Sequence, residues 1–234
     1  MLLAAPAALA GDTFEIQIYD GTANGRGDVG LETHFNVAKG GEAHLTFEPS
    51  YGITDFWELG AYLQFARLSD GSNRYAGAKL RSKLVTPPGW HPHLRFGFNV
   101  EIAVVPEEFS ASRYGGELRP IAAWEDDRVL IAINPNVGLA FARPEAPLGP
   151  SVDPGAMAKV KMFSGKLMVG VEYYSELGTF SAIHALRDQG HQLFGAADIA
   201  ALPWLELNVA VGAGLTSAST PWIVKAIAGI SFGK

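Results

Sequence analysis

The chain has no cysteine among its 234 residues, which removes disulfides, thiolate metal sites and cysteine nucleophiles together. Charged residues are scarce at 18%, against 48% hydrophobic, so a solvated, unfolded chain is not expected. Basic residues never gather more densely than in Lys79-Leu80-Arg81-Ser82-Lys83, and the formal net charge is −6. That withdraws electrostatic support for a nucleic-acid partner. Beyond the N-terminus no apolar run approaches the ~18 residues that a membrane-crossing helix needs. If this chain crosses a membrane, it crosses as strands.

The opening Met1–Ala10 is a short apolar run ending in Ala8-Leu9-Ala10, the small-x-small pattern of a signal-peptidase site. It is read as the remnant of a signal peptide, with cleavage after Ala10. Residues 11–29 are then a separate N-terminal segment, and residues 30–234 a single β-barrel domain.

What the sequence has in abundance is glycine, 27 residues, together with period-2 alternation that is nearly continuous from residue 30. The alternation predicts about twelve strands, at 30–37, 43–52, 56–66, 75–85, 93–105, 114–124, 129–141, 156–163, 166–176, 191–200, 205–215 and 222–232. Many of them are longer than the usual globular strand and suit a tilted bilayer crossing. In 93–105, Leu94, Phe96, Phe98, Val100 and Ile102 share one face, and Arg95, Asn99 and Glu101 the other. Alternation alone does not separate a soluble sandwich from a membrane barrel.

Three features decide it. Connections alternate in length: 52–56, 86–92, 125–128, 163–166 and 201–204 are mostly short, whereas 67–74, 106–113, 142–155 and 177–190 are longer. Outer-membrane barrels pair short periplasmic turns with long external loops. Trp57, Trp90, Trp124 and Trp204 all fall at the short-turn set, as an interfacial aromatic girdle would. Finally, the last strand ends in Phe232, like the terminal signature that outer-membrane proteins present to the barrel-assembly machinery. The expected fold is an all-β, antiparallel up-and-down transmembrane barrel in the bacterial outer membrane. Its parity sets the alternating segment Phe14-Glu-Ile-Gln-Ile-Tyr-Asp20 outside the wall or inside the lumen.

The hairpin "FEPSYGITDFWELGAYLQF" (47–65), with "GLETHF" (30–35), "GELRPIAAWEDDRVLIAINP" (116–135) and "GVEYYSELG" (170–178), resembles a large group of Gram-negative outer-membrane barrels described as transporters. The group includes the MetA-pathway phenol-degradation barrels. The resemblance implies location, fold and passage of small molecules, and brings no catalytic residues with it.

The inward face is expected to carry both signs of charge. Lys79, Arg81 and Lys83 make a basic ladder on one strand, joined by Arg95, Arg119, Lys159, Lys161 and Lys225; Glu101, Glu117 and Glu172 are among the acids. Such rows read either as a structural ion-pair lattice or as a selectivity lining that draws anionic solutes. Tyr62, Tyr75, Tyr174 and Phe194 also point inward on this register. No HExxH or GxSxG pattern occurs, His91-Pro92-His93 reads as a turn, and 20–28 lacks the spacing of a calcium loop. Neither metal nor cofactor is expected. The functional expectation is a small-solute channel or transporter rather than an enzyme, with lipid and the assembly machinery as partners. A closed structural or partner-binding barrel and a lipid-processing barrel enzyme are the alternatives.

Overall fold

A computed structural model describes residues 13–110, 112–141 and 149–233. The expected signal-peptidase site and part of the expected 142–155 loop lie outside these residues. The strands are β1 (Val29–Ala38), β2 (Ala43–Thr54), β3 (Trp57–Arg67), β4 (Asn73–Val85), β5 (Leu94–Val104), β6 (Tyr114–Glu125), β7 (Val129–Ala140), β8 (Ser151–Met162), β9 (Leu167–Glu176), two-residue β10 (Gly178–Thr179) and β11 (Ala182–Ile183), β12 (Gly190–Leu202), β13 (Leu205–Gly214) and β14 (Trp222–Phe232). Long neighbours pair antiparallel in chain order, β9 passing directly to β12, and β14 returns to β1 from Val29↔Phe232 to Ala38↔Ile223. Twelve long strands therefore close a ring, and a closed ring leaves no unpaired edge. Strands β10 and β11 form a small ladder in the loop above β8.

The two faces are inverted relative to a water-soluble domain. Outward residues are apolar and exposed, among them Phe47, Leu63, Leu80, Phe98, Ile102, Ile133, Val160, Val171 and Val211. Inward residues are polar or charged and buried, with Glu48, Arg81, Asn99, Glu101, Arg119, Glu172 and Lys225 each 5% exposed or less. An apolar belt of this extent belongs in lipid, because water would drive it to aggregate. Both termini of the ring and the connections 55–56, 86–93, 126–128, 163–166 and 203–204 lie at one end, and 39–42, 68–72, 105–113, 141–150, 177–189 and 215–221 at the other; 86–93 is longer and 68–72 shorter than the expected sorting of loop lengths has them. Within the tight turn at 126–128, the backbone N–H groups of Arg128 and Val129 donate to the Asp126 carboxylate and hold it below the usual carboxylate range.

Two expectations need correction. Tyr75 points outward, half exposed, with its ring 6.0 Å from that of Phe65. The register of β3 with β4 runs to Gln64↔Gly77 and continues as Phe65↔Tyr75, so Ala76 is the extra residue of a bulge. Gly77, at φ +138°, supplies the backbone conformation a side chain would resist, and everything before it changes face. Strand β8 begins at Ser151 rather than at 156, running through Pro154, which pairs with Pro135 of β7. Pro135 and Pro120 in turn occupy the middle of a gap in the β6–β7 ladder, between Leu118↔Val137 and Ala122↔Ile133. Prolines lack the donor a continuous ladder requires, and the gap lies where Arg119 and Asn134 turn inward to other partners.

Candidate functional site

The lumen is occupied. Segment 13–28 enters it beside the long-loop end and runs to the short-turn end before joining β1. Its pattern explains the fit: Phe14, Ile16 and Ile18 alternate with Glu15, Gln17 and Tyr19, and the lumen wall has two matching sides. Ile16 and Ile18 pack in one apolar cluster with Leu130, Ala132, Met157, Phe194 and Ile223 of β7, β8, β12 and β14. Phe14 packs edge-on against His44 and Phe109, above Ala66 and Ala76. Glu15 and Tyr19 face the charged strands β3 to β6.

The segment has no sheet partner across residues 15–20; wall side chains take its backbone instead. Asn36 donates to Thr13 O (2.8 Å), Thr46 to Phe14 O (2.9 Å) and Lys225 to Ile16 O (2.7 Å). Asn134 grips Tyr19 at both ends, accepting from its N–H at 2.6 Å and donating to its carbonyl at 3.0 Å. Arg95 Nε donates to Asp20 O (2.9 Å), and Asn24 N–H donates to Glu58 (2.6 Å). Every such bond satisfies a backbone group that burial would otherwise leave unpaired.

The side chains of the segment join the charge network. Glu15 pairs with Arg119 at 3.0 Å and lies 3.6 Å from Lys79. The Tyr19 hydroxyl donates to Glu15 at 2.9 Å and lies 2.8 Å from the Tyr62 hydroxyl, and the Arg119 guanidinium sits 4.4 Å from the centre of the Tyr19 ring.

The wall residues singled out from the sequence fall into four groups. Arg81 bridges Glu48 and Glu58, and Lys83 reaches Glu58 at 3.2 Å. Lys79 pairs with Glu101 at 3.0 Å, and Arg119 with Glu117 at 2.7 Å. Lys159 pairs with Glu172 (2.8 Å) and Asp198 (2.7 Å), while Lys225 binds the same Glu172. Arg95 and Lys161 share Glu125, and Arg95 also meets Asp20 at 3.1 Å. Trp57, Trp90, Trp124 and Trp204 stand at the short-turn end, where the Trp57 indole donates to Ser82 at 3.0 Å.

Sequence reasoning missed the apolar inner wall and the backbone clamps. Leu130, Met157 and Ile223 sit at inward parity on their strands beside Phe194, which the register had already turned inward, a visible signal that the lumen had to hold something apolar. Asn36, Thr46 and Asn134 carry no comparable signal, because neutral polar residues are ordinary on a lumen face.

Histidines serve local structure. His91 Nδ1 accepts the backbone N–H groups of His93 and Leu94, at 3.1 and 3.0 Å, closing its turn. The His191 ring contacts the Tyr173 hydroxyl and Gln189, while Ser219 bonds to the main chain of His191. Glu32, His34 and Glu48 place ligand-type atoms within 4.8 Å of one another. Arg81 already neutralises Glu48 and Gln17 donates to Glu32, so the trio behaves as part of the ion-pair lattice.

Two cavities flank the segment. One of about 460 Å³ lies at the short-turn end against Gly21, Thr22, His91, Arg95 and Lys161. The other, of about 250 Å³, lies toward the long loops against Glu15, Gln17, Arg119 and Asp153.

No protein-family model matches the chain, and no curated protein sequence matches it. Among solved structures, the KdgM porin is similar at 10% identity, with a TM-score of 0.58, 88% of this chain and 99% of that one being covered. The NanC porin is similar at 7% identity and TM-score 0.59, covering 88% of this chain and 100% of its own. KdgM porin in complex with disordered oligogalacturonate matches at 9% identity and TM-score 0.55, over 88% and 99%. The fold is that of outer-membrane β-barrel porins.

Proposed function

We propose that the protein is an outer-membrane channel for small solutes whose path is occluded by its own N-terminal segment. The observation that carries this reading is the segment itself, which threads the lumen between two cavities and is held across residues 13–24 by side chains rather than by a strand ladder, with main-chain bonds to the wall at Gly27 and Asp28. A ladder would bind it cooperatively into the wall; separate side-chain contacts let it leave while the ring stays intact. In this reading outer-membrane lipid covers the apolar belt, and the Phe232 end of β14 is presented to the barrel-assembly machinery. Kinship with the MetA-pathway phenol-degradation barrels, read from the 47–65 hairpin, belongs to the same proposal.

Departure of the segment changes the charge of the path. It carries Glu15, Asp20 and Asp28 against Arg26. Without it Arg119 and Lys79 lose Glu15, Arg95 loses Asp20, and Lys225 loses the Ile16 carbonyl. The basic ladder Lys79, Arg81 and Lys83 then lines a more positive lumen, which favours anionic solutes. The acidic oligosaccharide held by the KdgM porin has the sign this reading expects.

Asn134→Ala is the direct test. It removes two hydrogen bonds to Tyr19, each with a net worth of about 0.5–1.5 kcal/mol, and shifts the closed–open balance by about tenfold. In planar bilayers the native protein is expected to stay mostly closed, and the variant to open about tenfold more often with an anion-shifted reversal potential. The permanently closed barrel, which the dense pairing of inward charges favours as second reading, requires both proteins to be silent.

A further inference from the structure

The cavity toward the long loops has a chemistry of its own. Four acids line it, Glu15, Glu117, Asp153 and Glu176, against the single cation Arg119. Arg119 is engaged by Glu117 and Glu15. Buried oxygens of four lining residues, Glu15 Oε2, Gln17 Oε1, Asn136 Oδ1 and Asp153 Oδ1, accept no hydrogen bond. The side chain of Glu15 is fully buried; its carboxylate pairs with Arg119 through Oε1 at 3.0 Å, and its Oε2 lies 3.6 Å from Lys79.

Four side-chain donors at the cavity are already engaged. The Ser151 hydroxyl donates to Asp153, Tyr174 to Glu172, Ser175 to the Pro154 carbonyl and the Gln17 amide to Glu32. The site therefore offers acceptors and negative charge, and buried acceptors left without donors are costly. Beyond Arg119, which Glu15 and Glu117 already engage, the described lining supplies no second positively charged group. A volume of about 250 Å³ is room for about eight waters, more than a bare metal ion fills, and the described oxygens include amides as well as carboxylates.

We infer that this cavity is a binding site for a small organic cation, an alkylammonium or guanidinium compound, held between the N-terminal segment and the wall. Glu15 and Gln17 belong to the segment, while Glu117, Asn136, Asp153 and Glu176 belong to β6, β7, β8 and β9. On the gating reading proposed above, on which this coupling rests, a cation bound across that boundary ties the segment down and favours the closed state, since a ligand stabilises the state it binds better.

The test uses three probes of one length on the full chain folded in detergent: 1,4-diaminobutane, 1,4-butanediol and succinate, titrated calorimetrically. The diamine is expected to bind saturably, at least tenfold more tightly than the diol, with no heat of binding from succinate. Asp153→Asn and Glu176→Gln, each verified as folded by circular dichroism, are expected to weaken the diamine at least tenfold. Absence of saturable binding, equal binding of the diol, preference for succinate or indifference to both substitutions would overturn the assignment. Binding is read without any conductance, so a cavity that ignores the diamine leaves the gate standing, and a silent Asn134→Ala channel leaves the cation site standing.

Discussion

Deleting residues 13–24 is expected to convert a closed barrel into one with steady conductance. The ring does not depend on those residues, since β1 begins at Val29 and pairs along its length with both β14 and β2. What disappears is the body of Ile16, Ile18 and Tyr19 from the middle of the lumen, together with Glu15 and Asp20. Planar-bilayer recording in a salt gradient checks this, on protein whose folding is verified by the change in gel migration on heating. Stable currents with an anion-shifted reversal potential are the expected result. Silence from a folded deletion variant would mean that wall side chains alone fill the path, and would return the lumen to a purely structural role.

Glu172 carries the second large effect. Its carboxylate, 2% exposed, answers Lys159 at 2.8 Å and also Lys225, and accepts from Asn208 and Tyr174. Lys225 is itself only 1% exposed and lies beneath the rings of Tyr174 and Phe194. Glu172→Ala therefore leaves a buried ammonium with only the Ile16 carbonyl and the Tyr174 hydroxyl. Breaking a buried pair from one side typically costs about 3–5 kcal/mol, and a loss of that size is expected in urea unfolding of the vesicle-reconstituted protein. Replacing both partners, Glu172→Leu with Lys225→Met, is expected to restore much of the loss, because the desolvation of two charges goes with them. A single variant within about 1 kcal/mol of the native protein would show that water reaches Lys225 despite its burial.

The wall was legible in the sequence because a lipid-facing strand has a strict rule at every second position. Strand limits such as 93–105 against Leu94–Val104 and 205–215 against Leu205–Gly214 agree to within a residue. Tyr75 escaped since one bulge residue inverts a face, and neither Ala76 nor Gly77 advertises a bulge by identity alone. Pro154 escaped for the opposite reason: a proline inside a strand argues against the strand, yet here it pairs with another proline across β7.

The candidate site was half visible. Ionised residues at inward parity were found because lipid excludes them, and the alternation of Phe14-Glu-Ile-Gln-Ile-Tyr-Asp20 was plain. Its destination was not, because an amphipathic strand gives the same pattern wherever an apolar and a polar surface meet. The lumen provides both surfaces, one lined by Leu130, Met157 and Ile223, the other by Glu101 and Arg119. That two-sidedness lives in strands far apart in the sequence and emerges only when the ring closes.

The measurement that tests the central claim most directly is the reactivity of one introduced thiol, made simple by the absence of native cysteine. Ile18→Cys places it in the apolar half of the lumen, where Ile18 is 7% exposed, and Ser217→Cys, at an exposed position of the 215–221 loop, is the control. With a membrane-impermeant maleimide, the thiol at 18 is expected to react about a hundredfold more slowly than that at 217 in the folded protein, and equally fast in urea. Equal rates in the folded protein would place the segment outside the lumen and contradict the occluded channel.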